Sequence, residues 1–170
     1  AKVLHDAFGI QHALMSTIHS YTGDQSILDQ VHKDLRRARA AAANIIPTTT
    51  GAARAVTMVI PDLKGRIDGM AYRVPTITVS VTDLTVLLER KTSTDEINEA
   101  YKSAASSDLK DILTFSNEPL VSSDFRGNPS SATIDGLSTA GIGGNFFKIV
   151  GWYDNEWGYA SRTADLAAFM

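Results

Sequence analysis

Residues 9–21 carry a run of Ile, Leu, Met, Thr and Ile closing on the polar cluster Ser20-Tyr21-Thr22-Gly23-Asp24. The pattern predicts a strand apolar on both sides, well buried, that ends in a turn. Ahead of it Val3, Leu4, Ala7 and Phe8 share one helical face, with Gly9 placed as the residue after the helix. No capping residue or initiating Met precedes them, so residues 1–8 read as the tail of a helix that began upstream, and the chain as a fragment.

Residues 24–47 read as a long connection with short helical pieces. Residues 51–60 then read as a helix capped by Thr49 or Thr50 and stopped by Pro61. Ile77, Val79 and Val81 alternate with Thr76, Thr78, Ser80 and Thr82, a strand pattern. Beyond Asp83 the apolar positions change parity to Leu84, Val86 and Leu88, which predicts a bulge or a change of buried face there. Pro75 argues against residues 73–75 as part of a central ladder. The half-polar Thr/Ser face of this strand is a candidate subunit contact.

Ser93-Thr94-Asp95-Glu96 spells a capping box, and Ile97, Ala100, Tyr101, Ala104 and Ala105 follow at helical spacing. A short helix holding Leu109, Ile112 and Leu113 comes next. Strands are expected near 119–124, 131–138 and 145–154. A last helix lines up Tyr159, Thr163, Leu166, Ala167 and Met170. Long strands broken by few helices indicate an α+β domain with a large mixed sheet.

Composition narrows the function classes. The chain is 44% hydrophobic and 21% charged, with 12 Gly and 5 Pro among 170 residues, as in a folded globular domain of 170 residues. Its longest apolar run is the five residues 166–170, too short for a membrane span. A net charge of −3 argues against a general binder of nucleic acid or anionic membrane. Cysteine is absent, so no disulfide, thiolate metal site or thiol nucleophile lies within these residues.

Four histidines, His5, His12, His19 and His32, show no metal-ligand spacing. His19 stands out because it closes a strand at a polar turn; a structural role and a catalytic one are both open to it. Thr49-Thr50-Gly51-Ala52-Ala53 at a helix start is either a simple cap or an anion site. Lys33, Arg36, Arg37 and Arg39 form either a solvated helix face or a set of phosphate-binding guanidinium groups. Arg73 interrupts the apolar strand MAYRVP and calls for a fixed anion, a protein carboxylate or a ligand phosphate. In Trp152–Tyr159 four aromatics interleave with Asp154, Asn155 and Glu156. A core strand end explains the rings but not the Asn-Glu pair, whose amide can read a planar polar ring. Neither a Gly-rich dinucleotide fingerprint nor a Gly-x-Ser-x-Gly elbow occurs.

The segments STIHSYTGDQ, HKDLRRARAAAANIIPTTTGAA, MAYRVPT, VSSDF and GWYDNEWGYASR, in order along the whole chain, closely resemble the glyceraldehyde-3-phosphate dehydrogenase family. The resemblance is to its C-terminal catalytic domain. Residues 1–170 would then be one catalytic-domain fragment, without the N-terminal nucleotide-binding domain and the nucleophilic cysteine segment. It implies a mainly antiparallel mixed sheet with helices on one face.

It also implies a glycolytic, cytoplasmic, homotetrameric enzyme acting on glyceraldehyde 3-phosphate and inorganic phosphate, with no nucleic-acid or membrane partner. A thiolate attacks the aldehyde, hydride leaves to NAD or NADP, and phosphate cleaves the resulting thioester. His19 matches the general base. Thr22, Asp24, Arg37 and Arg73 match the substrate-phosphate site, and Thr50 and Gly51 the inorganic-phosphate site. Asn155, Glu156 and Tyr159 match the nicotinamide region. Residues 22–45 match a loop reaching a neighbouring subunit.

Gln30-Val31 replaces a Leu-Pro pair frequent in NAD-specific members, which leaves NAD against NADP open. Thr50-Gly51-Ala52-Ala53 favours the glyceraldehyde enzyme over the related erythrose-4-phosphate dehydrogenases. Without a thiol the fragment itself should be inactive and hold no cofactor. An anion-binding and subunit-assembly module is the alternative.

Overall fold

Local chemistry places the helix ends. A computed structural model describes all residues, Ala1–Met170. Gly9, at φ 68°, stops α1 (Lys2–Phe8) in a backbone region that suits glycine and turns the chain into β1 (Ile10–Ser20). The capping box forms as its residues predict. The Ser93 hydroxyl accepts from Glu96 N at 3.2 Å, and the Glu96 carboxylate accepts from Ser93 N at 3.0 Å, opening α3 (Thr94–Ser106).

The remaining elements are β2 (Ile46–Thr49), α2 (Ala52–Val59), β3 (Ile67–Val74), β4 (Ser80–Leu88), β5 (Leu113–Ser116), β6 (Ala132–Asp135), β7 (Ala140–Ile142), β8 (Phe146–Tyr153) and α4 (Trp157–Phe169). The sheet runs β2-β3-β1-β4-β8-β6-β5, with β7 added on β8. Only β1/β3 and β5/β6 are parallel, so the sheet is mixed and mainly antiparallel, as expected for the α+β class.

One face of this sheet is covered. Leu4 and Phe8 of α1 and Ile97 and Tyr101 of α3 join Ile10, Ala13, Met15, Leu84, Val86, Leu88, Phe147 and Ile149 in one buried cluster. Strand β1 is therefore apolar on both sides but buried on one: Leu14 is 68% exposed while its neighbours Ala13 and Met15 are buried. The other face is more open, though buried Phe125 stacks on Trp152 there with ring centroids 5.5 Å apart.

The expected bulge at Asp83 is absent. Thr82, Asp83 and Leu84 pair in unbroken register with Thr17, Ser16 and Met15, and the one irregularity of this pair falls between Ile10 and His12. The misleading alternation came from residues 76–79, which lie outside the strand. Val79, at φ 70°, swings the chain into β4, where Ser80, Leu84, Val86 and Leu88 all face inward. The Thr/Ser parity is thus the inner face, not a subunit surface. Arg73 does belong to the ladder, between His19 and Ile46, and the strand ends just ahead of Pro75.

Two further expectations fail locally, while the last helix forms as expected. Residues 107–112 form turns rather than a helix, with Asp111 at φ 65°. Around 119–124 there is a 3₁₀ turn, Ser122–Phe125, held by Asp124 accepting from Val121 N at 2.8 Å. The stripe on α4 is exposed, with Tyr159, Leu166 and Met170 at 77%, 59% and 96%. The long connection holds a single 3₁₀ turn, Ala41–Ala43, before β2.

Gly69 lies opposite Met15 in the β1/β3 pair, where a Cβ would collide with the Met15 carbonyl oxygen. Both strands are interior, so neither can retreat. Gly69→Ala is expected to cost about 1–3 kcal/mol, read as a lower urea midpoint, while Gly23→Ala, in open space, leaves it unchanged.

Candidate active site

The alternation that buries Ala13, Met15 and Thr17 also turns His19 toward the covered face. The same argument turns Arg73 inward on β3 and Tyr153 inward on β8. These residues lie at strand ends, where they line a cavity of about 670 Å³ together with Thr49, Thr50 and Gly51 at the start of α2.

His19 and Arg73 are cross-strand partners. Arg73 Nη1 lies 2.9 Å from His19 Nδ1 and donates to the Ser20 carbonyl at 2.9 Å, while Nδ1 is itself 2.7 Å from that carbonyl. The Tyr153 ring meets the imidazole edge-on, with centroids 6.1 Å apart. Burial lowers the His19 pKa, as does the Arg73 charge, against the opposing pull of the Ser20 carbonyl. Burial and the neighbouring Arg37 charge likewise lower the Arg73 pKa. Tyr153 is shifted up by burial, with nearby hydroxyls and Arg73 opposing.

Arg37 pairs with Asp24 at 2.8 Å. The Nε atoms of Arg37 and Arg73 are both buried and have no partner. Two adjacent guanidinium groups with unused buried donors suit an oxyanion. Thr50 Oγ1 accepts from Ala52 N at 3.2 Å, a local turn ahead of α2, whose N-cap is Gly51 without a side-chain cap bond rather than the expected Thr49 or Thr50.

Behind His19, the Ser20 and Ser80 hydroxyls donate to Asn155 Oδ1 at 2.9 and 3.0 Å, and Ser80 Oγ accepts from Ser20 N. The NH₂ end of Asn155 makes no hydrogen bond within the chain. Asp154, 5% exposed, accepts from Glu156 N, Trp157 N, Gly127 N and the Thr78 hydroxyl.

The geometry gathers His19, Arg73, Thr50 and Gly51 around one cavity, with Asp24 and Arg37 beside Arg73. Thr22 stands three residues beyond His19, its amide and hydroxyl both directed to Gln25 Oε1. Asn155 joins through Ser20. Tyr159 does not pack against this region: α4 presses Gly158 onto the Ser130 backbone, which leaves the next residue on the open side, and Glu156 is exposed too. Sequence reasoning overlooked Tyr153, Ser20, Ser80 and Asp154.

Residues 1–155 match the glyceraldehyde 3-phosphate dehydrogenase C-terminal domain family. The chain belongs to this family. It is 59% identical over 170 residues to glyceraldehyde-3-phosphate dehydrogenase of Geobacillus stearothermophilus, covering 100% of this chain and 51% of the relative. Glyceraldehyde-3-phosphate dehydrogenase 1 of Bacillus cereus is 57% identical over the same shares. A Synechocystis relative, glyceraldehyde-3-phosphate dehydrogenase 2, is 55% identical over 99% of this chain and 50% of its own length. The chain therefore spans about half the length of these relatives. Membership fits a chain whose charged groups converge on a strand-end cavity, and no helix is long and apolar enough to cross a membrane.

Proposed function

We propose that the chain is the catalytic domain of a phosphorylating glyceraldehyde-3-phosphate dehydrogenase, which oxidises the aldehyde to an acyl phosphate and passes hydride to NAD or NADP. The observation that carries this reading is the His19–Arg73 contact of 2.9 Å at a cavity walled by the start of α2. A base, a cationic pair and a helix end are what an acyl transfer to phosphate requires.

His19 accepts the proton of the attacking thiol and of the hemiacetal hydroxyl. Arg73 and Arg37, with Thr22 and Asp24, hold the phosphate of the substrate. Thr50 and Gly51 hold the attacking inorganic phosphate at the α2 N-terminus. Asn155 fits the carboxamide of a nicotinamide, because its oxygen is already bound by two serines and its NH₂ is not. Glu156 and Tyr159 border that site once the nucleotide-binding half is docked. When bound, the nicotinamide supplies the hydride acceptor. The thiol comes from outside these residues, which contain no cysteine.

The open part of the sheet face around Leu14 supports contacts within a homotetramer; the family reading also places the enzyme in the cytoplasm. Thr50-Gly51-Ala52-Ala53 supports glyceraldehyde 3-phosphate over erythrose 4-phosphate as substrate.

The test compares the 170 residues alone with the same residues joined to the N-terminal half of the Geobacillus relative. The chain alone is expected to give no NAD reduction with glyceraldehyde 3-phosphate and phosphate, and the chimera to turn over. A folded chimera that binds NAD without oxidising the aldehyde overturns the proposal. A chimera preferring erythrose 4-phosphate reassigns the substrate.

A further inference from the structure

Two fully buried hydroxyl groups take no part in the chemistry described so far. Ser20 is 0% exposed and Ser80 2%, and a buried hydroxyl costs stability unless it is bonded. Both are spent on Asn155. Ser20 Oγ and Ser80 Oγ lie 2.9 and 3.0 Å from its Oδ1, and Ser80 Oγ also accepts from Ser20 N at 3.1 Å. The three residues come from β1, β4 and the turn after β8, neighbours in the sheet order.

Counting donors fixes which end of the amide faces the serines. An amide oxygen has two lone pairs, and each hydroxyl has one proton to give. With Oδ1 inward, both protons and both lone pairs are used. Turned round, the NH₂ group would face two oxygens, one of them already accepting from Ser20 N. The Ser20 hydroxyl proton would then lose its one acceptor in a site closed to water.

Ser20 serves a second group through its main chain. Its carbonyl accepts from Arg73 Nη1 at 2.9 Å and lies 2.7 Å from His19 Nδ1. The side chain of this residue therefore holds the amide while its carbonyl holds the base and the guanidinium.

We infer that Ser20 and Ser80 are positioning residues that lock the Asn155 amide with its NH₂ outward, so that the site donates to a carbonyl on a nicotinamide ring and does not accept from an NH₂ there. The inference rests on the reading of Asn155 as the carboxamide contact, and adds the groups that set its direction. An amide freed of the serines divides its time between orientations, and apparent affinity falls by the competent fraction.

The experiment titrates the chimera with the Geobacillus N-terminal half with NAD and with its 3-acetylpyridine analogue, which keeps the carbonyl and has a methyl group in place of the NH₂. In the double variant Ser20→Ala, Ser80→Ala, NAD affinity is expected to fall about fivefold, the worth of one hydrogen bond. The analogue should lose more than NAD, because a turned amide can accept from the carboxamide NH₂ and finds no donor on the methyl ketone. The KM for glyceraldehyde 3-phosphate should stay within twofold, since alanine at position 20 keeps the carbonyl that binds Arg73. Asn155→Asp keeps the serine bonds but turns an oxygen outward, and should weaken NAD at least tenfold.

A double variant that binds both dinucleotides within twofold of the parent overturns the inference. If Asn155→Asp has meanwhile lost NAD, the reading of Asn155 stands. Asn155→Asp that keeps its NAD affinity removes that reading and the inference together. Equal losses for NAD and the analogue, or a raised KM for glyceraldehyde 3-phosphate, mean that the strand end itself has shifted, and they overturn the positioning role. Ser80→Ala alone, with the same signs, decides the matter if the double variant does not fold.

Discussion

Replacing His19 by Asn in the chimera with the Geobacillus N-terminal half is expected to lower kcat by roughly 10²–10⁴, the usual share of a positioned acid–base group. The pH profile separates loss of a base from simple misfolding. Burial and the Arg73 charge hold the His19 pKa below the ordinary histidine value. The wild-type ring therefore stays neutral, and competent as a base, to lower pH than a free histidine. The acid limb of kcat/KM should fall below the ordinary histidine range and vanish in His19→Asn.

Stability carries the same sign. The unfolded chain binds a proton on this ring more readily than the folded one, so stability drops as pH falls through the ordinary histidine pKa. His19→Asn should flatten that part of the urea-midpoint curve. A variant within threefold of wild-type kcat, with its acid limb intact, would remove His19 from the chemistry.

How much of this was legible along the chain depends on the range of the interaction responsible. Gly9 and the Ser93–Glu96 box terminate helices through contacts within four residues, and both behave as their residue types predict. His19 could be singled out because a strand end beside a polar turn is also local. Which face of β1 is covered depends on α1 and α3, the second some 80 positions away, and the apolar run could not reveal it. The supposed bulge at Asp83 arose from treating Ile77 and Val79 as strand residues, when Ile77 is 67% exposed and the turn ends at Val79.

The site shows the same division. Residue types marked Arg73, Thr50 and Asn155 as candidates, but Arg73 and His19 meet only because β1 and β3 pair in parallel across residues 21–66. Ser20 and Ser80 find Asn155 from 135 and 75 positions away. Such partners carry no local pattern. Tyr159, an aromatic in a rich motif, lies on the open side of its helix, since Gly158 is the residue set against the Ser130 backbone.

Asp154 is where the largest stability loss is expected. Its carboxylate gathers two N–H groups at the start of α4, one from Gly127 and the hydroxyl of Thr78, joining three segments at the end of β8. Asp154→Ala removes all four bonds and leaves buried donors unpaired, a cost of about 3 kcal/mol. Asp154→Asn keeps the shape and one acceptor, and should cost less. Burial alone would raise the carboxyl pKa, but the N–H groups of Trp157, Gly127 and Glu156 and the Thr78 hydroxyl outweigh it and hold the pKa below the ordinary carboxylate range. A depressed folded pKa gives stability that is complete above the unfolded carboxylate pKa and is lost as pH falls through the folded one. The gap in urea midpoint between wild type and Asp154→Ala should therefore be full at pH 7 and narrow under strongly acid conditions. Because the next residue is Asn155, the proposed nicotinamide contact, the variant should also weaken NAD binding in the chimera, measured by titration, before it affects phosphate binding at the proposed Arg73 site. A gap that is unchanged from neutral to acid pH would mean that the four bonds do not depend on the charge of the carboxylate.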